Sequence, residues 1–356
     1  MATVIADKFN SNTESENKVS NNEAGDDGRT TEKAALATKA AGAGRMKYID
    51  PKKILDWLKG LGAPAFGILA FLALWAVLAP QVDTSLGSLP GPVEVAGQGV
   101  ALFDEWSAAQ DQKAEFYAAQ DARNAAAVES GGQTRDFQYS GPPTFLDQIW
   151  TSLATVALGF FLATIFAVPI GLICGLSKTF NAAINPLIQI MKPVSPLAWL
   201  PIVTMVISAT MTDPDPTLPK SFVISAIVVM LCSLWTTLIN TAIGAASIDK
   251  DLLNVGKVLR LGWFAKLTRL VLPSALPYIF TGMRLSLGVG WMVLIAAEML
   301  AQNPGLGKFV WDEFQNGSSQ SLARIMFAVI VIGLIGFMLD RVMMLLQNLA
   351  SRNRTV

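Results

Sequence analysis

The stretch GWFAKLTRLVLPSALPYIFTGMRLSLG, residues 262–288, changes character half way along its length. Its first part mixes apolar side chains with basic ones, a pattern typical of a helix lying on a membrane surface. After Leu272 the sequence is apolar enough to enter a bilayer. We predict that Pro273 and Pro277 end the surface segment and start the next apolar run, and that a break near Gly262 divides the segment.

The composition of the whole chain places this stretch in a membrane protein. Of the 356 residues, 52% are hydrophobic and 15% charged, whereas soluble domains average about 25% charged residues. The formal net charge is zero, which gives no general attraction to nucleic acid, and the lack of histidine excludes histidine metal sites. Cys174 and Cys232 lie inside apolar runs, where we expect them to pack as small apolar side chains.

Six apolar runs have the length of a membrane-spanning helix, which needs about 20 residues. They cover residues 62–80, 149–174, 184–210, 220–246, 275–300 and 322–349. Pro193, Pro196 and Pro201 interrupt the third run. The sequence therefore predicts an all-α membrane protein with six transmembrane helices and with both termini on the same side.

The distribution of charge predicts which side that is. The segment 81–148 is mainly acidic and lies on one face of the membrane. Basic residues on the other face are Lys47, Lys52, Lys53, Lys59, Lys178, Lys250, Lys257, Arg260, Lys266, Arg269, Arg352 and Arg354. By the positive-inside rule, both termini and the loop 247–272 are cytoplasmic, whereas 81–148 is periplasmic.

The ends of the chain are expected to lie outside the folded core. Residues 1–45 are polar and predict a disordered tail, which we place in the cytoplasm. Residues 350–356 predict a short cytoplasmic tail at the other end. At 46–61, Asp50 can cap a helix that has Pro51 at its first position. This helix is either interfacial or a plain extension of the first span.

The segment between the first two spans predicts a helical insertion rather than an enzyme domain. Pro92 can start a helix, the alanine-rich sequence up to residue 129 favours its continuation, and the GGQ at 131–133 ends it. The remaining residues, 149–349, form a five-helix core together with the cytoplasmic loop.

Glycines inside the runs predict close packing between helices. Gly171 and Gly175 are four residues apart near the inner end of the second run. Gly282, Gly288 and Gly290 share the fifth run. Because small residues let two backbones approach each other in a membrane, we expect these positions to face other helices.

The sequence lacks the common catalytic motifs. GLICGLSKTF at 171–180 and GLGKF at 305–309 contain glycine and lysine, but not at the spacing of a phosphate-binding loop. GxSxG, CxxC and HExxH are also absent. We therefore expect a protein that is not an enzyme and has no cofactor, and whose energy comes from a partner or an ion gradient.

Two long stretches carry a family resemblance. They are AASIDKDLLNVGKVLRLGWFAKLTRLVLPSALPYIFTGMRLSLGVGWMVLIAAEML at 245–300 and TSLATVALGFFLATIFAVPIGLICGLSKTFNAAINPLIQIMKPVSPLAWLPI at 151–202. Both resemble the inner-membrane permeases of binding-protein-dependent ABC importers, in the nitrate/sulfonate/bicarbonate branch. GWMVLIAAEML followed by GLGKFVWDEFQNGS looks closest to nitrate-type permeases. The resemblance covers about residues 145–349, with a looser match at 47–95.

This resemblance implies a type I importer permease fold in a bacterial inner membrane. It also implies three kinds of partner besides lipid: cytoplasmic ATP-binding subunits, a periplasmic solute-binding protein and a second permease copy, most simply in a homodimer. In such importers the loop at 247–272 carries a coupling helix that docks on the ATPase. The matching residues here are Asp251, Val255, Gly256, Leu261, Gly262, Lys266, Leu272 and Pro273. The chain departs from the family in having Gly256-Lys257-Val258 where relatives have Glu-Ala-Ala.

Charged and aromatic residues inside the spans are candidates for the translocation path, because buried charge in a membrane is costly. Arg284 either lines the path or extends to the cytoplasmic interface, and Lys192 lies at a proline break. Glu298 would repel an anion, which favours a gate or a structural role. Trp199 and Trp291 either line a cavity or pack between helices.

The function expected from the resemblance is import of a small oxyanion, with nitrate or nitrite first. Bicarbonate, cyanate and a sulfonate such as taurine are alternatives within the same machinery. Two other classes stay open: an ion-coupled secondary carrier, and a membrane scaffold that binds an external partner through 81–148.

Overall fold

The computed structural model of the chain describes residues 51–84, 87–212 and 218–352. The predicted tail at 1–45, the Asp50 cap and residues 353–356 lie outside this part. The helices are α1 (Pro51–Leu78), α2 (Pro92–Glu129), α3 (Phe145–Leu176), α4 (Lys178–Met191), α5 (Pro196–Thr210), α6 (Lys220–Ala246), α7 (Lys250–Val258), α8 (Trp263–Lys266), α9 (Leu272–Ala301), α10 (Leu306–Asn316) and α11 (Ser319–Arg352). A 3₁₀ turn (Ala79–Gln81) and an antiparallel pair, β1 (Asp83–Thr84) and β2 (Gly87–Ser88), follow α1. All packing described below lies within the compact unit that begins at Ala70.

The described residues contain five stretches that are long and apolar enough to cross a membrane. They are Gly62–Gln81, Phe145–Leu176, Lys220–Ala246, Trp263–Ala301 and Gln320–Ala350. The pair α4 and α5 makes a sixth candidate, bent by 101° at its break. The prediction of six spans is confirmed in this form. The region of the predicted interfacial helix joins the first span, because α1 runs unbroken from Pro51.

The break in the third span falls before Pro196. Ser195 has ψ of 143°, and its side chain accepts a hydrogen bond from the backbone N–H of Leu197. A residue that precedes proline is driven out of the helical region in this way. The expectation that Pro201 also interrupts the span is wrong, because α5 continues through it. Helices in membranes tolerate proline where neighbouring helices compensate for the lost hydrogen bond.

Helix α6 lies at the centre of the core, with α3 and α9 packed against it. Glycines set the spacing of these contacts. A Cβ at Gly171 would lie 2.7 Å from the carbonyl oxygen of Leu238, and one at Gly282 would lie 2.8 Å from Cβ of Asn240. The close packing predicted for these two glycines is confirmed, and Gly175 makes a similar contact with α6.

The surface segment is continuous with the fifth span. After α7, a turn in which Arg260 has φ of 48° leads to α8, which begins directly after Gly262. The predicted break near Gly262 is therefore confirmed. A π turn (Leu267–Val271) then joins α8 to α9. The expectation that Pro273 and Pro277 separate surface segment from span is wrong, because one helical stretch includes both prolines; Pro273 lies in the first turn of α9, where its missing N–H is not needed.

The predicted insertion is a long helix with an extended return. Helix α2 starts at Pro92 and ends just before Gly131, which has φ of 73°. The chain then runs back along α2, where the backbone N–H of Phe137 donates to Oε1 of Gln120 at 3.0 Å. Arg324 of α11 holds the base of this insertion through an ion pair with Glu105. The helix start and the glycine stop are both confirmed.

Candidate translocation site and coupling face

Arg284 of α9 pairs with Asp340 of α11. The guanidinium Nε donates to Oδ1 of the carboxylate at 2.5 Å, and Nη2 donates to Oδ2 at 2.8 Å. At the usual helical rise, Arg284 lies about 18 Å from the start of α9 at Leu272. Asp340 lies about 18 Å from the end of α11 at Arg352. The pair is therefore deep in the apolar region. Snorkelling of Arg284 to the cytoplasmic interface is not the arrangement seen here, since the guanidinium is directed to a neighbouring helix.

The pair faces a cavity of about 620 Å³ between α9 and α11. About a third of each side chain is exposed there, 36% for Arg284 and 38% for Asp340. The lining residues are Thr281, Arg284, Leu285, Gly288, Val289, Met292, Asp340 and Gln347. Gly288 lies on the open side, where an added Cβ would meet nothing within 4 Å. The expected close contact of Gly288 with another helix is wrong within the described chain, whereas Gly290 does pack against α6.

Glu298 lies outside this cavity in a buried hydrogen-bond network. Ser152 Oγ donates to its carboxylate at 2.8 Å, and the backbone N–H of Gly307 donates at 3.0 Å. Ser152 also accepts from the backbone N–H of Leu306 at 2.8 Å. Glu298 has 0% exposure and joins the end of α9 to α3 and to the start of α10. Whether Glu298 acts as a gate or only as a structural partner stays a prediction.

The structure does not bring the other predicted path residues to the Arg284 cavity. Trp291 is buried at 6% exposure, and its indole N–H donates to the carbonyl of Ile332 at 3.0 Å. Packing therefore accounts for Trp291. Lys192 is exposed at the bend after α4, and Trp199 is half-buried in α5. A role for Lys192 or Trp199 in the path stays a prediction.

Asp340 is the residue that the sequence analysis missed. It lies within the apolar run 322–349, which also contains Arg324 and Arg341. The rule that selected Arg284, an ionisable side chain inside a span, also selects Asp340. Its pairing with Arg284 is a contact between residues 56 positions apart, which the sequence pattern does not contain.

A second candidate surface lies on the segment before α9. Five apolar side chains there are at least half exposed, which is typical of a docking surface. We call them the coupling face: Val255, Val258, Leu259, Trp263 and Phe264. The exposed basic residues Lys257, Arg260 and Arg269 lie on the same segment.

The predicted coupling residues divide between this face and its support. Val255 is on the coupling face. Gly256 is buried, and a Cβ there would lie 2.7 Å from Cδ1 of Leu270, so that α7 rests on the π turn. The backbone N–H of Leu261 donates to the Gly256 carbonyl at 3.0 Å. The others are Asp251 in the first turn of α7, Gly262 and Lys266 at the two ends of α8, and Leu272 and Pro273 at the start of α9.

Comparison with known protein families identifies the family of this chain. Residues 167–354 match the family described as binding-protein-dependent transport system inner membrane component. The chain belongs to this family. It is 33% identical over 303 residues to the bicarbonate transport system permease protein CmpB of Synechococcus elongatus, covering 85% of this chain and 94% of that protein. It is 30% identical over 286 residues to the nitrate import permease protein NrtB of Synechocystis, covering 80% and 88%.

Two further similarities cover a smaller part of this chain. The taurine transport system permease protein TauC of Escherichia coli is 30% identical over 215 residues, covering 59% of this chain and 73% of TauC. A solved structure of the methionine ABC transporter MetNI aligns with a TM-score of 0.49 at 11% identity, covering 58% of this chain and 95% of that one.

Family membership confirms the main expectations from the sequence. The protein is an inner-membrane, multi-pass permease subunit of an ABC importer in the nitrate/sulfonate/bicarbonate branch. It is not an enzyme, since ATP hydrolysis belongs to separate subunits of such transporters. Relatives named for bicarbonate and for nitrate match this chain at similar identity.

Proposed function

We propose that this permease forms the translocation path for a small oxyanion, with nitrate or nitrite as the first candidate and bicarbonate as the second. The observation that carries the proposal is the position of Arg284, a cation deep in a span and open to a cavity. An isolated arginine at the centre of a bilayer costs about 2.5–3.5 kcal/mol on insertion scales. Asp340 offsets that cost, but the pair stays open to the cavity, where the positive charge of Arg284 can attract an anion into the path.

The names of the relatives narrow the choice of the transported anion. The alignments with CmpB and NrtB extend over at least 80% of this chain, whereas that with TauC covers 59%. Nitrate and bicarbonate are both planar anions with two oxygens available to a guanidinium fork, which recognises such pairs of oxygens well. A sulfonate is therefore the third candidate.

The subunit is proposed to work as a homodimer. Exposed residues on α9 recur every three or four positions and form a stripe along one face: Tyr278, Thr281, Leu285, Gly288 and Met292. The stripe includes part of the cavity wall, so the Arg284 cavity is open on this side of a single chain. A second copy that packed along the stripe would enclose the cavity and keep lipid out of the path.

The coupling face is proposed to dock on the ATPase subunit. It is apolar, exposed and flanked by basic residues, which suits a protein groove with an acidic rim. Its Trp263 and Phe264 are joined to the fifth span by one helical stretch, Trp263–Ala301. A displacement of the docked helix would therefore be passed directly to Arg284.

Reconstitution of the complete transporter tests this function. The permease, its ATPase and its solute-binding protein would be placed in liposomes, and uptake of labelled nitrate, bicarbonate and taurine measured with ATP or a non-hydrolysable analogue. We expect ATP-dependent uptake of nitrate or bicarbonate. Taurine uptake alone would favour the sulfonate alternative. Uptake by the permease without its ATPase, driven by an ion gradient, would contradict the proposal.

A further inference from the structure

We propose that Asp340 is a built-in competitor for the translocated anion: its carboxylate occupies the guanidinium site of Arg284 that the oxyanion takes during transport. The inference rests on the proposed function and adds a residue to it. It assigns to the ion pair an exchange reaction, in which the carboxylate leaves as the anion enters and returns as the anion leaves.

The shape of the carboxylate is the first argument. Asp340 presents two oxygens to Nε and Nη2 of Arg284, in the two-point arrangement that a guanidinium makes with planar anions. Nitrate and bicarbonate offer the same pair of oxygens on one planar centre. An anion of this class can therefore replace the Asp340 carboxylate at Arg284 without any change in the position of the guanidinium.

Access is the second argument. The other carboxylate inside the spans, Glu298, lies in a closed site with 0% exposure. The pair of Arg284 and Asp340 instead opens on the cavity, with about a third of each side chain exposed. An anion in the cavity can reach the guanidinium, and the displaced carboxylate can turn towards water in the same space.

Release is the third argument. A transport site must bind its ion well enough to admit it and weakly enough to let it go. Arg284 alone in an apolar region would hold an anion strongly, because the charge would have no other compensation. Asp340 on the neighbouring helix supplies that compensation when the anion departs. The pair therefore lowers the affinity of the site and keeps the charge of Arg284 neutralised between transport cycles.

Charge-neutral variants distinguish exchange from a structural ion pair. The variants are Asp340→Asn, Arg284→Gln and the double Arg284→Gln/Asp340→Asn, with Lys308→Gln as a control. Lys308 pairs with Asp312 on α10 and does not line the cavity. The double variant leaves neither charge of the pair without its partner, so we expect it to fold even if a single variant does not.

Two measurements on the permease–ATPase complex report the outcome. Equilibrium dialysis against labelled nitrate, without the solute-binding protein, gives the dissociation constant of the permease site. Removal of the competing charge in Asp340→Asn is expected to lower this constant roughly fivefold, the effect of one partly exposed ion pair. Uptake in liposomes by the same variant is expected to have a lower maximal rate, because release is slower.

The remaining variants decide the interpretation. Arg284→Gln and the double variant are expected to bind no nitrate and to transport none, while Lys308→Gln behaves as wild type. If Asp340→Asn binds nitrate no more tightly than wild type, the exchange is refuted and the oxyanion function stands. If the double variant transports at the wild-type rate, the anion site at Arg284 is refuted together with the exchange. If the wild-type transporter carries neither nitrate nor bicarbonate, it is the function itself that fails.

Discussion

At the scale of single residues, two acidic side chains in the spans have opposite surroundings. Asp340 shares a cavity with Arg284, whereas Glu298 is enclosed by hydrogen-bond donors from α3 and from the start of α10. The first arrangement leaves room for exchange with an anion. The second fixes the geometry of three helices at one end of the fifth span.

Glu298→Gln is expected to destabilise the subunit, because an amide places a donor where the network supplies donors already. Leaving such a buried group unsatisfied costs about 1–3 kcal/mol. Thermal unfolding of the purified complex measures the effect. Asp312→Asn removes an acid from a partly exposed pair with Lys308 and serves as the control, with little change expected. Unchanged unfolding of Glu298→Gln with loss of uptake would instead place Glu298 in the path.

The sequence indicated which single residues are unusual, but not which of them meet. Arg284 and Glu298 were both recognised as costly charges inside a span. Their partners come from α11, α3 and the first turn of α10, and are fixed only by the packing of the helices. Composition within one run therefore identifies a candidate and leaves its chemical environment undetermined.

At the scale of elements, the contact between α3 and α6 depends on a residue without a side chain. A Cβ at Gly159 would lie 2.6 Å from the carbonyl oxygen of Ala226. Gly159→Ala is therefore expected to lower the unfolding temperature, by an overpacking cost of about 1–3 kcal/mol. Gly333→Ala adds the same methyl group to an open face of α11 and is the matched control. Equal unfolding temperatures for the two variants would contradict this packing.

The coupling face lies on a second element, the segment before α9. Replacing Trp263 and Phe264 together by serine is expected to release the ATPase during purification, because it removes both aromatic side chains of the coupling face. Val93→Ser is the control, since Val93 is 84% exposed but lies on α2, in the insertion. Retention of a full complement of ATPase by the double serine variant would argue against docking at this surface.

The sequence predicted the amphipathic pattern of this segment, but it did not predict that the segment continues into the span as one helix. Alternating apolar and basic residues predict a surface helix, and the prolines predict an interruption. The π turn (Leu267–Val271) keeps the helix continuous up to Pro273 instead. Such turns arise from local hydrogen bonding and leave no periodic pattern in the sequence.

At the scale of the whole molecule, the number of spans follows from the length of the apolar runs, and the orientation remains a prediction from charge. The 101° bend between α4 and α5 could not be read from the prolines, which mark a break but not its angle. The angle depends on how the two helices pack, and α5 packs against both α6 and α9.

Labelling of single cysteines tests the orientation. In a background without Cys174 and Cys232, Ala119→Cys is expected to react with an impermeant reagent added outside, and Val258→Cys is expected to react only after the membrane is opened. Both positions are exposed in the folded chain, so the difference reports the side of the membrane. Labelling of Val258→Cys from outside, with protection of Ala119→Cys, would reverse the topology.

The central claim is that Arg284 meets the translocated anion, and nitrate uptake by Arg284 variants tests it most directly. ATP-dependent uptake would be measured in liposomes with the complete transporter and normalised to the amount of inserted permease. Arg284→Lys keeps the charge but not the planar fork, so we expect reduced uptake. Arg284→Leu is expected to insert normally and to transport no nitrate. Wild-type uptake by Arg284→Leu would contradict the claim and leave Arg284 as one half of a structural ion pair.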